Sequence, residues 1–499
     1  MTRSSGSGTA SGDVAELSDS VWSALENLRS GTNLQWPEFS APILGIVFLR
    51  AVSQQFDRLA AKLGGGSPRN PVGPDDYRAQ GVLFVPGSCH FSTISEVPEG
   101  GNLATALREA MSQLEAANPD LCGMLPKGYA AVPSKTLHEA VRLVSPTELS
   151  NEDYGALFAD LLLRVAQEEG QDGGDLFVTA PHIVDFMVAV VAPSEGRVFD
   201  PCSGSGGMFT GCLRHGGREL ESKRLGFYGQ EKSSRNAALS VMNLAVHGGA
   251  ALIEVGDSYT ADPHESVGKF DYVLANPKFN DTAFDAERVQ DTRRFPHGSP
   301  TAKANYLWLQ MCLSALGPHG RAAIVMPNSA SDGTKKEFAI RRAWIEEDVV
   351  EAVVAVGEKM FGSIKNPATI WLFNRAKLGH QRNRVLFVDA RATFTDIDSA
   401  HRCWTPGQVR SLSELVTHWR TGARPPADIA GLCCVASCAD VEATGSWSFN
   451  PGRYVEASVD DSQQSVGDLA RLADELDEVS DEATALLARV RQTLRGIVV

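Results

Sequence analysis

The chain has 499 residues, of which 43% are hydrophobic and 21% charged, an ordinary globular composition that excludes a low-complexity or fibrous protein. That length is enough for two to four domains with cores of their own. The formal net charge of −15 excludes an overall positive field, so a chain of this kind that works on nucleic acid either concentrates its basic residues on one face or has a partner that supplies much of the grip, and the acidity favours the partner.

Residues 1–12 are rich in Ser and Gly and read as a disordered tail with no apolar signal core. No apolar run approaches the length of a membrane span, so a cytoplasmic protein without a membrane partner is expected. From residue 13 to 63 the pattern is helical. Val21, Trp22, Leu25 and Leu28 recur at three-to-four spacing, and the pattern continues from Pro42. Residues 64–74 form a flexible break. Short strands are expected at 82–85 and 89–94, and helices at 103–116, 137–143 and 154–169. Residues 13–170 thus read as a mainly helical domain.

A second domain, 171–376, opens at Gly173-Gly174. Thr179 suits a helix N-cap and Pro181 an early helical position before the apolar run 183–191. Next comes GRVFDPCSGSGGMF, in which the apolar pair Val198-Phe199 ends in Asp200 and a turn of small residues follows: Pro201, Ser203, Gly204, Ser205, Gly206 and Gly207. A strand, a glycine turn and a helix amino terminus let backbone N–H groups approach a ligand closely. A second strand ends in Glu231, placed to accept hydrogen bonds from ribose hydroxyls. A third ends near Asp257, which either caps the turn before Ser258 or faces the same ligand. A fourth, FDYVLA, ends in Asn276-Pro277-Lys278-Phe279, where the proline keeps Asn276 extended at the strand's carboxyl edge. Residues 280–300 form a polar loop long enough to be functional. A helix at 306–316 and strands at 320–327, 349–356 and 368–374 complete a mainly parallel sheet with helices on both faces.

Residues 377–464 read as an irregular extension. Cys433, Cys434 and Cys438 lie there without the paired spacing of a zinc site, and no metal is expected. Residues 465–499 form an amphipathic helix whose apolar seam, from 466 to 494 at alternating three and four spacing, wants a partner helix inside or outside the chain.

DPCSGSGG followed at this distance by an NPPF-like tetrapeptide resembles the S-adenosylmethionine-dependent amino-methyltransferases, which methylate exocyclic amines of DNA bases. The helical amino-terminal region, with Trp22 to Leu28 leading into LGIVFL and then Val82 to Pro86, is similar to that of modification subunits of type I restriction–modification systems. The segment Phe449-Asn450-Pro451-Gly452-Arg453-Tyr454 resembles one found late in the same subunits. The resemblance implies an α/β protein: a Rossmann-like methyltransferase sheet with an N-terminal helical domain and a C-terminal helix. It implies an adenine-N6 DNA methyltransferase with S-adenosyl-L-methionine as cofactor. Double-stranded DNA and a DNA-specificity subunit are the implied partners, and a restriction (helicase–nuclease) subunit and a second copy of the chain are admitted as further ones.

Carried onto this sequence, the resemblance assigns cofactor binding to Phe177, Thr179, Pro181, Asp200, Pro201, Ser203, Gly204, Ser205, Gly206, Glu231 and Asp257. It assigns catalysis to Asn276, Pro277 and Phe279. The amine of adenine is a poor nucleophile because its lone pair is delocalised. Asn276 Oδ1 and the Pro277 carbonyl would accept its two hydrogens, while Phe279 stacks on the flipped base. Lys278 stands where the family usually has a second proline. A lysine about 6 Å from a sulfonium at an effective dielectric near 20 is repelled by about 3 kcal/mol, so Lys278 is expected to face outward, toward a DNA phosphate. Three rivals stay open: a solitary DNA methyltransferase with its own target-recognition region in 376–465, a protein-glutamine methyltransferase, and a catalytically impaired cofactor-binding scaffold.

Overall fold

A computed structural model describes residues 9–31, 34–64, 66–67, 70–146, 148–171, 176–215, 225–298, 302–333, 335–361, 366–422 and 429–455. The helix expected at 465–499 and the opening Gly173-Gly174 lie outside the described residues.

The first two helices are built around aromatic contacts. Helix α1 (Thr9–Gly31) begins inside the stretch expected to be a disordered tail. It buries Val21, Leu25 and Leu28, one face at helical spacing, and Trp22 stacks on Trp36 with ring centroids 5.1 Å apart. Helix α2 (Trp36–Leu63) starts six residues before Pro42, with a proline in its first turn and the Glu38 carboxylate accepting from the Gln35 N–H at 2.7 Å. It is buried on nearly every side from Trp36 to Gln55, as expected of a central helix rather than an amphipathic surface one. Contrary to the sequence expectation, α2 is long and apolar enough to cross a membrane by length and composition, but 89% of that apolar window is buried within the protein.

Helices α3 (Leu103–Ala117), α4 (Ser134–Val144) and α5 (Asn151–Gln171) complete this region. The strands expected at 82–85 and 89–94 do not form; the second is a 3-10 turn followed by a short helix, Phe91–Ser95. Around Phe84 the backbone N–H and C=O pair with the side chain of Asn118, at 2.9 Å each, instead of with another strand. The Phe84 ring packs edge-on against Phe56 and Tyr77, which accounts for the apolar run.

The chain then builds a nine-stranded sheet: β1 (Gly196–Asp200), β2 (Leu225–Glu231), β3 (Ala251–Val255), β4 (Phe270–Ala275), β5 (Leu316–Pro327), β6 (Val350–Val356), β7 (Ala368–Asn374), β8 (Arg384–Ala390) and β9 (Cys433–Ser437). The spatial order is β3-β2-β1-β4-β5-β7-β6-β8-β9. Strand β7 runs antiparallel between β5 and β6, and β9 is antiparallel to β8; the other neighbours are parallel. The order reverses between β1 and β4, which places a topological switch point there.

Among the described residues, the longer helices that cover the two faces are α6 (Pro181–Val191), α7 (Gly207–His215), α8 (Ser234–Val246), α9 (Asn305–Ala315), α10 (Lys335–Glu346) and α11 (Pro406–Thr421). The region 377–464, expected to be irregular, instead supplies β8, α11 and β9, so the sheet extends past residue 376. A buried ion pair secures this addition: Glu351 of β6 accepts from Arg420 of α11 at 2.9 and 2.6 Å. The segment 446–455 lies over the face that carries α9 and α10, where fully buried Arg341 donates to the Trp447 and Ser446 carbonyls.

The amino-terminal helices grip α8 at both ends. Arg235 near its start pairs with Glu169 of α5 at 2.5 Å and donates to Ser40 of α2. At its end the Val246 carbonyl accepts from Gln55 of α2 at 2.8 Å.

Candidate active site

Strand β1 delivers the glycine turn, and four contacts from three different elements fix it. Ser203 N–H donates to the Gln230 carbonyl at 3.0 Å, and Gly204 N–H to Glu231 Oε2 at 2.9 Å. Asn243 of α8 donates to the Ser205 carbonyl at 2.8 Å, and Ser258 to the Pro201 carbonyl at 2.7 Å. Gly206 has φ +79°, and a Cβ there would lie 2.6 Å from Ser240 Oγ and 2.8 Å from Leu244 Cδ1, so only glycine fits.

Glu231 closes β2 beside this turn, with its other oxygen accepting from Ser233 N–H at 2.8 Å. Asp200 is 2% exposed and accepts from Cys202 N–H at 3.0 Å. Burial, with a smaller push from the neighbouring Glu231 charge, raises its carboxyl to about 7 against the hydrogen bond from Cys202. The folded chain therefore holds this proton more tightly than the unfolded chain, whose aspartate titrates near 3.8. Stability is lost as pH rises between those two values, because the fold must then keep a proton that the unfolded chain has released. Asp200→Asn is expected to flatten that decline in thermal midpoint measured without cofactor; parallel wild-type and variant profiles would contradict it.

Asp257 caps its own turn. Its Oδ1 accepts from Tyr259 N–H at 3.0 Å, and its carboxylate pairs with Lys232 at 3.3 Å. The loop after residue 280 is anchored to the same turn: Arg294, 2% exposed, donates to the Ser258 carbonyl at 2.6 Å, and Tyr259 donates to Asp281 at 3.1 Å.

Strand β4 pairs in parallel with β1, Val198 opposite Tyr272 and Phe199 opposite Val273, so the glycine turn and Asn276–Phe279 leave the same rim at adjacent strands. Pro277 is buried, Lys278 exposed, and Phe279 half-buried against the larger core. Asn276 donates from Nδ2 to Thr179 Oγ1 at 3.0 Å. Among the described residues nothing donates to Asn276 Oδ1 or to the Pro277 carbonyl. Two acceptors at the switch point are therefore free to take donors from a ligand.

Thr179 is not the helix cap. Ala180 holds that position with φ −54° and ψ 133°, as a residue before proline should, and Pro181 begins α6. The offset leaves the Thr179 hydroxyl outside the helix. The same segment reaches the glycine turn, since a Cβ on Gly204 would lie 3.5 Å from the Phe177 carbonyl oxygen.

Residues 150–463 match the model of the N-6 DNA methylase family, and residues 17–144 that of the HsdM N-terminal domain. The chain belongs to the N-6 DNA methylase family. The type I restriction enzyme HindI methylase subunit of Haemophilus influenzae is 31% identical to it over 81% of this chain and 96% of the relative. The MjaIX methylase subunit of Methanocaldococcus jannaschii is 27% identical over 97% of this chain and 91% of the relative. The fold is that of the type I methyltransferase subunit from Streptococcus thermophilus, with a TM-score of 0.71, 19% identity, and 89% of this chain and 100% of the other covered. Within the N-6 DNA methylases the chain is thus of the type I modification-subunit kind, with a helical amino-terminal region and a methyltransferase sheet.

Two features of this candidate site go beyond the sequence expectations. One is the Thr179–Asn276 bond across 97 residues. The other is a reciprocal pair that anchors the end of the tetrapeptide: Asn280, with φ +53°, donates from its backbone to Asn305 Oδ1 at 2.9 Å, and Asn305 Nδ2 donates back to Asn280 Oδ1 at 3.1 Å. The only available hint was an asparagine opening α9, a residue commonly used to bond nearby backbone.

Proposed function

We propose that the chain is the S-adenosylmethionine-dependent subunit that methylates N6 of a flipped adenine in a type I restriction–modification complex. The observation that carries this reading is the pair of unengaged acceptors, Asn276 Oδ1 and the Pro277 carbonyl, on the strand next to the glycine turn.

The cofactor fits the residues present. The turn of Pro201, Ser203, Gly204, Ser205 and Gly206 has backbone held open by glycines. Ser203 Oγ is buried with no partner among the described residues, and a Cβ on Gly207 would meet nothing within 4 Å. The Glu231 carboxylate suits a ribose diol. Asp200 accepts from the Cys202 N–H within the turn, Ser258 beside Asp257 donates to the Pro201 carbonyl, and the Phe177 carbonyl lies by Gly204, while Thr179, two residues before Pro181, engages Asn276. When bound, the cofactor supplies an electrophilic methyl group on sulfonium sulfur.

The chain's own contribution is positioning. Asn276 and Pro277 accept the two amine hydrogens and so direct the nitrogen lone pair out of the ring plane. Phe279 stacks on the base, worth about 1–3 kcal/mol, comparable with the few kcal/mol that flipping costs. Lys278 turns to a DNA phosphate, away from the positive sulfur.

The acidity of the chain supports a partner that supplies DNA affinity and sequence readout, the role of a specificity subunit. A solitary enzyme would need its own target-reading region. The stretch available for one is instead occupied by β8, α11 and β9 of the sheet.

Glu231→Ala is expected to weaken S-adenosylmethionine binding by about 10- to 100-fold, the loss of hydrogen bonds to one charged group, as read by calorimetric titration. Unchanged affinity would remove Glu231 from the cofactor site.

A further inference from the structure

An asparagine can hold an amine only with its oxygen facing that amine. A side-chain amide that swings away from that position loses the contact, so something must hold it there. In this chain the anchor is a residue 97 positions earlier, because Asn276 Nδ2 donates to Thr179 Oγ1 at 3.0 Å. We propose that Thr179 is a positioning residue for methyl transfer, anchoring one end of the Asn276 amide so that the oxygen at the other end meets the target amine. This rests on the reading of Asn276 as the amine acceptor.

Three observations support it. The Thr179 hydroxyl is the one hydrogen-bond partner of the Asn276 side chain among the described residues, so no other hydrogen bond there anchors the amide. The segment that carries Thr179 is stiff: Ala180 is confined by Pro181, which starts α6, and α6 is buried along most of its length. The hydroxyl is therefore presented from a fixed point. Finally, the segment spans the site, with the Phe177 carbonyl beside Gly204 of the cofactor turn and Thr179 on Asn276 of the amine-holding tetrapeptide.

An unanchored amide would swing away from the target amine, and the base would be held wrongly for reaction. The effect belongs to the rate of the bound complex and not to cofactor affinity.

The test uses the chain assembled with its specificity subunit on DNA, in single-turnover methyl transfer with saturating labelled S-adenosylmethionine. Thr179→Val, which keeps the shape and loses the acceptor, is expected to slow transfer about tenfold, the upper end of what one neutral hydrogen bond contributes, with cofactor affinity within about threefold of wild type. Thr179→Ser, which keeps the hydroxyl, should return the rate to within about twofold. A Val variant that reaches the wild-type rate once cofactor is saturating would overturn the proposal and leave Thr179 a cofactor contact at most. Asn276→Ala run alongside separates the two ideas: full transfer by that variant would sink the acceptor reading itself.

Discussion

Asn276→Ala is expected to lower methyl transfer to DNA by at least about 100-fold, the scale set by removing one preorganised polar group from a reacting centre. Binding of S-adenosylmethionine should stay within about threefold of wild type, because the lost group acts on the transition state and not on cofactor affinity. The reasons are local. Asn276 sits at the carboxyl end of β4, held extended by Pro277, and its Nδ2 is already committed to Thr179 at 3.0 Å. Its oxygen is therefore the part of the side chain left for substrate. The Pro277 carbonyl survives the substitution, so one of two amine hydrogens keeps its acceptor and the lone pair is only half directed. Gel-shift binding of the assembled complex to DNA should be nearly unchanged, since in the proposed mechanism Asn276 meets the base only after flipping. A variant that transfers label at the wild-type rate would reject the catalytic assignment.

Glu351→Ala is expected to destabilise the protein by about 3–5 kcal/mol, the usual cost of leaving one member of a buried ion pair alone. Glu351 is fully buried in β6, and its carboxylate accepts from Arg420 at 2.9 and 2.6 Å, from Asn374 at 3.0 Å and from Gln381 at 3.1 Å. Burial alone would raise its carboxyl, but hydrogen bonds from and charge on Arg420, with Asn374 and Gln381 assisting, hold it below the usual glutamate range. Its contribution is thus present above the unfolded-state value and is lost as acid protonates the folded carboxylate. Arg420 also donates to the Val190 carbonyl, so the same pair ties α11 to the end of α6 as well as to the sheet. The change should appear as a lower urea midpoint followed by tryptophan fluorescence. Replacing both partners with Leu and Met of similar size should cost less than the single change, because no orphaned charge remains. A single variant with an unshifted midpoint would show that the pair does not secure α11.

Much of the site was legible because its strands advertise their ends. β1, β2 and β4 are short apolar runs that stop at Asp200, Glu231 and Asn276-Pro277, and a residue at a strand's carboxyl edge is where an open α/β sheet binds ligands. What failed to show was anything that depends on distant partners. β8 and β9 lie in a stretch whose pattern looked irregular, and their role appears only when Val388 pairs with Cys433 and Ala352 with Leu386. Phe84 looked like a strand residue because its ring packs on Phe56 and Tyr77, while its backbone is satisfied by one asparagine side chain. The helical pattern read over 13–63 is two helices, and the second begins at Trp36 and accommodates Pro42 in its interior. Thr179 looked like a cap because Thr-Ala-Pro resembles one. Its actual bond joins it to a residue that no local pattern connects with it.

The most direct measurement is nucleoside mass spectrometry of unmethylated duplex DNA after incubation with methyl-labelled S-adenosylmethionine, the chain and the specificity subunit of the proposed complex. Label recovered as N6-methyladenine, and absent when the chain or its Asn276 side chain is removed, is the expected result. Label in cytosine, in protein or nowhere, with the cofactor bound and the complex intact, would contradict it.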